Sequence, residues 1–284
     1  MNIELHCHPF LGKNSLTSVV KAMDSSDIDV LALEAYNEPI FQKVLEEAKA
    51  IPGIFTSPKG IKLPNGKFLL NAAENSTLEG FHVLTVGHSA YYPILVEMRR
   101  LIDAALDRDA LIVLDHPYAD NQSTFTAGHI SEEDERVLDD ICREYEGKIA
   151  AEWNAYCKPS LRWGLMHLLN LNGNGFQYYD VNKKAEELSQ RFNVPLVADT
   201  DVHARNSRLL SAIGTARIIT DIDALTPDEV VAQLKQNIFL GNYENIRAYV
   251  SLPHFLEAFA VPVLYRILKN KFPSAPDYFQ RPRA

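Results

Sequence analysis

The chain has 284 residues, of which 46% are hydrophobic and 23% are charged. This balance excludes a disordered chain, a collagen-like repeat and a small disulfide-built fold. The net charge of −9 argues against a protein that binds nucleic acid through a broad basic face. It leaves an anionic substrate open, because a bound metal ion can reverse the local electric field.

Cysteine usage and the N-terminal segment bear on the location of the protein. The three cysteines are a sparse, odd-numbered set, which is more typical of a reducing compartment than of a secreted protein. The first ten residues lack a basic stretch followed by an apolar one, so we expect no secretory signal. Residues 255–268 are interrupted by charges and are too short to span a bilayer. We therefore expect a cytoplasmic protein without a membrane segment.

Short apolar runs alternate with helical patterns along the first half of the chain. Ser15 is positioned to cap a helix, and Asn65-Gly66 between two extended runs predicts a hairpin turn. Strands are predicted at residues 3–5, 29–33, 53–63, 67–73 and 82–86. Helices are predicted at residues 15–23, 39–50 and 89–106.

The alternation continues through the second half of the chain. Strands are predicted at residues 110–114, 149–153, 195–198 and 215–219. Helices are predicted at residues 132–145, 160–171 and 181–192, with a further one beginning at Thr226. This order predicts an α/β fold built on a parallel barrel or a doubly wound sheet. We divide the chain into one such domain over residues 1–245 and a C-terminal helix and tail over residues 246–284.

His6 and His8 end the first predicted strand as His-Cys-His. Residues two apart on a strand point to the same side, so both imidazoles can reach one ion. On its own, the pair is explained equally well as two half-buried polar strand residues. Cys7 between them is expected to point the other way, into the core.

Further histidines and carboxylates lie where later predicted strands begin or end. These residues are Glu74, His82, His116, Glu152, Asp201 and His203. Loops at the ends of parallel barrel strands build active sites. Mixed imidazole and carboxylate ligands suit Zn²⁺, Mn²⁺ or iron, and a carboxylate shared by two ions suits a dinuclear hydrolase. The pattern predicts a metal site at one rim of the barrel.

This ordered series resembles the polymerase and histidinol phosphatase (PHP) family of metal-dependent phosphoesterases. The matching segments are His-x-His, Glu74, His82 in HVLTVG, LDHP, EWN and DVHA, within residues 1–219. The resemblance implies a distorted seven-stranded (β/α) barrel, here with a C-terminal helical extension. It also implies one ion held by His6, His8, Glu74 and Asp201, and a second held by Glu74, His82 and His116.

The chain departs from the family pattern after its second predicted strand. Glu34-Ala35-Tyr36 stands where the family has Thr-Asp-His, and only Asn14 stands where a further loop histidine would be expected. His203 would belong to a third metal position, which is incomplete unless Glu34 substitutes for a missing ligand. We therefore expect two divalent ions (Zn, Mn or Fe), with His203 as a proton donor or a hydrogen-bond partner of phosphate.

The resemblance implies hydrolysis of a phosphate ester by a metal-activated water. The expected substrate is a small-molecule phosphomonoester or phosphodiester, with no nucleic-acid partner. Asp201 and His203 are the predicted catalytic residues, and Arg205, Asn154 and Glu152 are the predicted substrate-binding residues. The pattern also allows Glu152 and Asn154 to contact and orient the metal ligands instead of the substrate.

Two alternatives stay open at this point. One is a C–N bond hydrolase of the amidohydrolase type, which usually adds a metal-bridging lysine. The other is a metal-binding module with a partly degenerate active site. Among other residues, His88 is an alternative to His82 as a metal ligand. Lys59 and Arg208 are weaker candidates for binding the phosphate group. His129, His167 and His254 are more typical of loop or structural histidines.

Overall fold

One curved sheet contains most of the strands of this protein. The computed structural model describes residues 1–36, 40–88, 95–119, 131–158 and 180–260. The described strands are β1 (Asn2–Glu4), β2 (Cys7–His8), β3 (Val30–Tyr36), β4 (Phe55–Ser57), β5 (Gly60–Lys62), β6 (Phe68–Ser76), β7 (His82–Val86), β8 (Leu111–Asp115), β9 (Ala150–Asn154), β10 (Leu196–Asp199), β11 (Val202–His203), β12 (Arg217–Ile219) and β13 (Glu244–Ile246). The described helices are α1 (Leu16–Ser25), α2 (Ile40–Lys49), α3 (Met98–Leu106), α4 (Glu132–Glu144), α5 (Val181–Phe192), α6 (Pro227–Leu240) and α7 (Leu252–Phe255).

The strand order of the sheet is β10-β9-β8-β7-β6-β3-β1-β12-β13, with the β4–β5 hairpin attached to β6. Strands β1, β3 and β6 are parallel to one another, and so are β8, β9 and β10. Strand β7 lies between these two groups and is antiparallel to both neighbours. The C-terminal ends of the parallel strands therefore lie at one rim, together with the N-terminal end of β7. We call this end the upper rim.

The two edges of the sheet approach each other near β10 and β13. Asn245 accepts a hydrogen bond from the Ala198 amide at 2.8 Å and donates one to the Leu196 carbonyl at 2.7 Å. The hydroxyl of Tyr243 donates to the same carbonyl at 3.0 Å. The sheet is thus a nearly closed barrel, which confirms the predicted α/β barrel.

The lower half of the barrel interior is filled by apolar side chains. Inward-facing positions recur at every second residue, as with Val30 and Ala32 on β3 and Phe68 and Leu70 on β6. Helix α6 adds Val230, Val231, Leu234 and Ile238 to the same cluster and so covers the lower end. A second apolar cluster lies between the outer face of the sheet and the surrounding helices.

Several local predictions are confirmed at the ends of elements. Ser15 accepts a hydrogen bond from the Ser18 amide at 3.2 Å and caps α1. Thr226 and Glu229 form a reciprocal capping box at the start of α6. Gly66 has a φ of +86° in the predicted hairpin turn, a conformation that favours glycine.

Some predicted elements lie partly or wholly outside the described residues. The predicted helix at 160–171 is one of these, as are the first residues of the one at 89–106. Residues 246–260 continue through the end of β13 and through α7, and the side chain of Phe255 is buried in the outer cluster. The division into residues 1–245 and 246–284 stays a prediction. Within the described part of the chain, the helices are too short or too polar to cross a membrane.

Candidate metal centre

The upper rim of the barrel holds a cluster of carboxylates and imidazoles. On β6 the inward-facing series runs through Leu70 and Ala72 to Glu74, so an apolar row ends in a carboxylate. The other barrel strands show the same change from apolar to polar. The residues that this alternation brings to the rim are Glu34 on β3, His82 on β7, Asp115 on β8, Glu152 and Asn154 on β9, and Asp199 on β10. Side chains facing inward at one rim converge on a common volume.

His6 and His8 reach this cluster from the segment after β1. Strand β1 ends at Glu4, and β2 pairs in parallel with β11, which sets His8 opposite His203. The Nε2 atoms of His6 and His8 are 3.1 Å apart, so both imidazoles face one point. Cys7 is buried in the outer apolar cluster, on the opposite side.

The first group of donor atoms surrounds these two imidazoles. Asp201 Oδ1 lies 3.3 Å from His6 Nε2 and 3.9 Å from His8 Nε2. Glu74 Oε2 lies 3.1 Å from His8 Nε2 and 4.0 Å from His6 Nε2. The structure therefore brings together the four residues that the family resemblance assigns to one ion.

The second group lies on the other side of Glu74. Glu74 Oε1 contacts His82 Nδ1, and the rings of His82 and His116 have centroids 5.4 Å apart. Glu74, His82, Asp115 and His116 each offer a ligand atom within 4.8 Å of the others. Because the two oxygens of Glu74 face different groups, its carboxylate has the arrangement needed to bridge two ions.

His203 lies on the more open side of the first group. Its Nδ1 is 2.9 Å from Asp201 Oδ1, and its ring centroid is 4.9 Å from that of His8. The side chain of His203 is 13% exposed, whereas that of His6 is fully buried. A molecule that enters from solvent can therefore contact His203 directly, whereas the other residues of the cluster separate His6 from solvent.

Two site residues have backbone conformations that are rare for non-glycine residues. The φ of His116 is +24° and that of Asp201 is +62°. The Asp201 amide donates to the His6 carbonyl at 3.0 Å, which helps to hold this turn. Such strain is concentrated at functional sites, because there the surrounding structure fixes a side chain in an otherwise unfavourable position.

Glu152 and Asn154 lie behind the histidines rather than toward solvent. Glu152 accepts hydrogen bonds from the His116 amide at 2.8 Å and from Asn154 Nδ2 at 3.1 Å, and its Oε1 is 2.7 Å from His6 Nδ1. Asn154 Nδ2 also donates to Asp201 Oδ2 at 3.1 Å. The pair links the segments that carry His6, His116 and Asp201, and both side chains are buried.

The remaining sequence candidates are spread over the molecule. Arg205 follows His203 at the exposed edge of the site. Lys59 pairs with Asp109 at 3.3 Å and Arg208 pairs with Glu257 at 3.2 Å, so neither extends toward the cluster.

The other histidines also divide by position. His88 lies beyond Val86, at the opposite end of β7 from His82, and so does not share its position at the rim. His254 hydrogen-bonds with Ser211 at 2.8 Å and Ser251 at 2.7 Å. His129 and His167 lie outside the described residues.

Sequence reasoning left out Asp115 and gave Glu34 only a conditional role. Asp115 Oδ1 lies 3.1 Å from His6 Nδ1 and 3.2 Å from His116 Nε2. The signal was present in the strand alternation, because Leu111 and Val113 face inward and the next residue of that series is Asp115. The sequence pattern thus pointed to His116 but not to the neighbouring Asp115.

Charge in the cluster is unevenly distributed. Burial lowers the pKa of His6, but nearby carboxylates, chiefly Asp115 and Glu34, outweigh it and raise the pKa well above its usual value. Burial raises the pKa of both Glu34 and Asp115 well above the ordinary range. Burial also lowers the pKa of His8 and of His116 to about 4. The imidazoles of His8 and His116 are therefore neutral at pH 7, which is the form that binds metal ions.

The donor set fits divalent cations. Both carboxylate oxygens of Glu34 are buried and accept no hydrogen bond from the described residues, and the same holds for Nδ1 of His116. An uncompensated buried carboxylate costs several kcal/mol, and a bound cation offsets this cost. Imidazoles and carboxylates together suit Zn²⁺, Mn²⁺ and iron.

Comparison with known proteins connects this architecture to solved structures. No family model and no curated protein matches the sequence. A two-domain protein from Bacteroides vulgatus, described as containing a predicted PHP-like metal-dependent phosphoesterase, is similar with a TM-score of 0.51 and 12% identity. The match covers 91% of this chain and 69% of that one. The chain has the PHP fold. The expected resemblance is thereby confirmed at the level of the fold.

Two other structures share this fold. PsfC from Pseudomonas syringae has a TM-score of 0.54 and 12% identity, and the match covers 95% of this chain and 98% of that chain. The lesion-specific endonuclease EndoQ of Pyrococcus furiosus has a TM-score of 0.52 and 13% identity. The match covers 86% of this chain but only 57% of the endonuclease, so this chain spans little more than half the length of that protein.

The expectation of a small-molecule partner and no nucleic acid is wrong. Endonuclease Q has a similar structure, with a TM-score of 0.50 and 12% identity, in complex with a 27-mer duplex that carries an abasic lesion at the active site. That expectation depended on the net charge of −9. The charge of a whole chain says little about a site where bound ions set the local field.

Proposed function

We propose that this protein is a metal-dependent phosphoesterase. In this proposal, one divalent ion is held by His6, His8, Glu74 and Asp201, and a second by Glu74, His82 and His116. The observation that carries it is the position of Glu74, whose two oxygens face two separate groups of donors. Zn²⁺, Mn²⁺ and Fe²⁺ are the ions proposed.

Two ions so held supply a Lewis acid for phosphate oxygens and lower the pKa of a bound water toward neutrality. The chain's own residues supply the remaining steps. Glu152 Oε1 accepts a hydrogen bond from His6 Nδ1 at 2.7 Å and keeps that ring in the orientation that ligation requires. Asn154 fixes Asp201 in the same way. These two residues thus act as supports of the ligands in this proposal, and not as substrate contacts.

His203 is the proposed general acid. Burial lowers its pKa, but the adjacent Asp201 outweighs burial and raises it. The imidazole therefore holds its proton to higher pH than an ordinary histidine and can donate it to the leaving oxygen of the ester. Arg205, which follows at the exposed edge, is proposed to contact a second phosphate oxygen.

The C–N hydrolase alternative has less support. A metal-bridging lysine would be expected at the rim, and the inward-facing rim positions of the described strands carry Glu, Asp, His and Asn. Among phosphate esters, the duplex bound to Endonuclease Q favours the inclusion of nucleic-acid phosphodiesters in any test of substrates.

The test is hydrolysis by the full chain loaded with Mn²⁺, Zn²⁺ or Fe²⁺. The substrates are p-nitrophenyl phosphate, bis(p-nitrophenyl) phosphate and a DNA duplex with an abasic site. We expect cleavage of at least one, loss of cleavage in His6→Ala, and full activity in His254→Ala. Failure with every ion and substrate, while the protein still binds ions, would instead support the metal-binding module.

A further inference from the structure

Glu34 is a buried glutamate at the centre of the candidate metal centre. It continues the inward-facing series of Val30 and Ala32 on β3 and has no exposed surface. Its position in the chain corresponds to no ligand implied by the family resemblance, which would draw on Tyr36 instead.

The carboxylate of Glu34 is directed at the two imidazoles of the first group. Its Oε2 lies 3.2 Å from His6 Nε2 and 3.7 Å from His8 Nε2. Oδ1 of Asp201, a proposed ligand, lies 3.3 Å and 3.9 Å from the same two atoms. Glu34 thus occupies a position equivalent to that of Asp201 relative to both histidines.

A comparison with Glu4 shows what Glu34 lacks. Glu4 is also fully buried, and its oxygens accept hydrogen bonds from Thr200 N at 2.7 Å, Thr200 Oγ1 at 2.5 Å and Gly214 N at 3.0 Å. Both oxygens of Glu34 accept none from the described residues. A buried carboxylate without donors is unfavourable unless a cation lies beside it. The nearest nitrogen is His6 Nε2, 3.2 Å from Glu34 Oε2, and it forms no hydrogen bond with that oxygen.

We propose that Glu34 is a further carboxylate ligand of the ion held by His6, His8, Glu74 and Asp201. The ligand set is then two imidazoles and three carboxylates. Carboxylate oxygen favours Mn²⁺ relative to Zn²⁺, so Glu34 shifts the preference of this position toward Mn²⁺. This inference rests on the proposed function, because it requires that the protein bind a divalent ion there.

The experiment measures Mn²⁺ binding and thermal stability of the full chain, with Glu34→Gln and Glu4→Gln as matched variants. Mn²⁺ per chain and its Kd are measured by equilibrium dialysis, and the Tm is measured after removal of metal. Glu34→Gln should lose one Mn²⁺ per chain or raise its Kd more than about 100-fold, beyond the effect of outer supporting residues. The Kd for Zn²⁺ should rise by a smaller factor. The metal-free Tm should stay unchanged or increase, because Glu34 accepts no hydrogen bond from the described residues and its replacement breaks none.

Glu4→Gln should behave in the opposite way. It replaces an acceptor with a donor that faces the Thr200 and Gly214 amides, so its metal-free Tm should fall while its Mn²⁺ stoichiometry stays that of the wild type. This control separates loss of a ligand from loss of a buried carboxylate in general.

Three results would overturn the inference. One is a Glu34→Gln protein that binds the wild-type number of Mn²⁺ ions with a Kd within about tenfold of the wild-type value. Another is a metal-free Glu34→Gln protein with a clearly lower Tm or no fold, since Glu34 would then stabilise the protein without an ion. A wild-type chain that binds no divalent ion would overturn the proposed function as well, which distinguishes the two failures.

Discussion

The lower and upper halves of the barrel interior differ in chemistry although the same strands line both. On β6, Phe68 and Leu70 in the lower half are followed by Glu74 at the rim, and on β8, Leu111 and Val113 are followed by Asp115. The lower half gains stability by removing apolar surface from water. The upper half concentrates buried charge, which opposes folding in the absence of a cation. The inward-facing positions of the same strands thus form both the apolar core and the candidate site.

The largest expected effect is that of Glu74→Gln, which removes the carboxylate shared by both groups. Phosphoesterase activity should fall by about 10³-fold or more, since loss of one stabilising group at a reaction centre alone costs about 10²–10³. Ion content measured by elemental analysis should fall with it. A variant with full activity would show that the two groups do not function through Glu74.

In the lower half, Leu70→Ala tests the opposite role. Leu70 is fully buried in the inner cluster, so the free energy of unfolding should fall by about 2–5 kcal/mol in denaturant titrations. Activity per folded molecule should not change. Leu78, which is 58% exposed, is the control, and Leu78→Ala should change stability by less than about 0.5 kcal/mol. If Leu70→Ala abolished ion binding, the two halves would not be separable.

His203→Gln separates proton donation from metal binding within the upper half of the barrel. The variant should lower kcat by about 10²-fold or more while the ion content stays constant, because the proton donor is lost and all the proposed metal ligands remain. The wild-type pH profile should show activity falling as pH rises through the raised pKa of His203, and the variant should lack that decline. An unchanged alkaline limb in the variant would assign the general acid elsewhere.

Glu152→Gln tests the support behind the ligands. Metal affinity should weaken about 10- to 100-fold, as for other residues that orient a ligating histidine. The control is Glu144→Gln, whose exposed carboxylate pairs with Arg99 at 2.7 Å and lies away from the rim. Isothermal titration with Mn²⁺ should show wild-type affinity for that control, and an equal loss in both variants would contradict the assignment.

The smallest expected effect is a change in the slope of stability with pH. In the metal-free protein, burial raises the pKa of Glu34 and Asp115, so the folded state keeps protons that the unfolded state has released. Stability should therefore fall as pH rises from the usual carboxylate range toward these raised values. Mn²⁺ replaces those protons, so its affinity should increase with pH. Thermal melts across this range, with and without Mn²⁺, test both signs.

Much of the fold follows from patterns that span only a few residues. The Ser15 cap, the Asn65-Gly66 turn and the helix start at Thr226 depend on local hydrogen bonds, and all three predictions are confirmed. The reversed direction of β7 was not predictable in the same way. The apolar pattern of β7 is compatible with either strand direction, and only its pairing with β6 and β8 sets that direction.

The candidate site depends more strongly on long-range pairing. His82 begins β7 and reaches the rim only because that strand runs antiparallel to its neighbours. His8 lies beside His203 because β2 pairs with β11, two short strands that the sequence pattern does not distinguish from loops. Asp115 and Glu34 belong to the cluster because their strands turn those positions inward.

The sequence by itself determined the alternation of strands and helices, and it marked most of the imidazoles and carboxylates at the strand ends. These properties depend on residue type and on spacings of two to four residues, which a single segment encodes. The tertiary structure decided which of these side chains meet, and it added Asp115 and the position of Glu34. Strand direction and inward register are set by burial of the whole barrel interior, so no single segment contains that information.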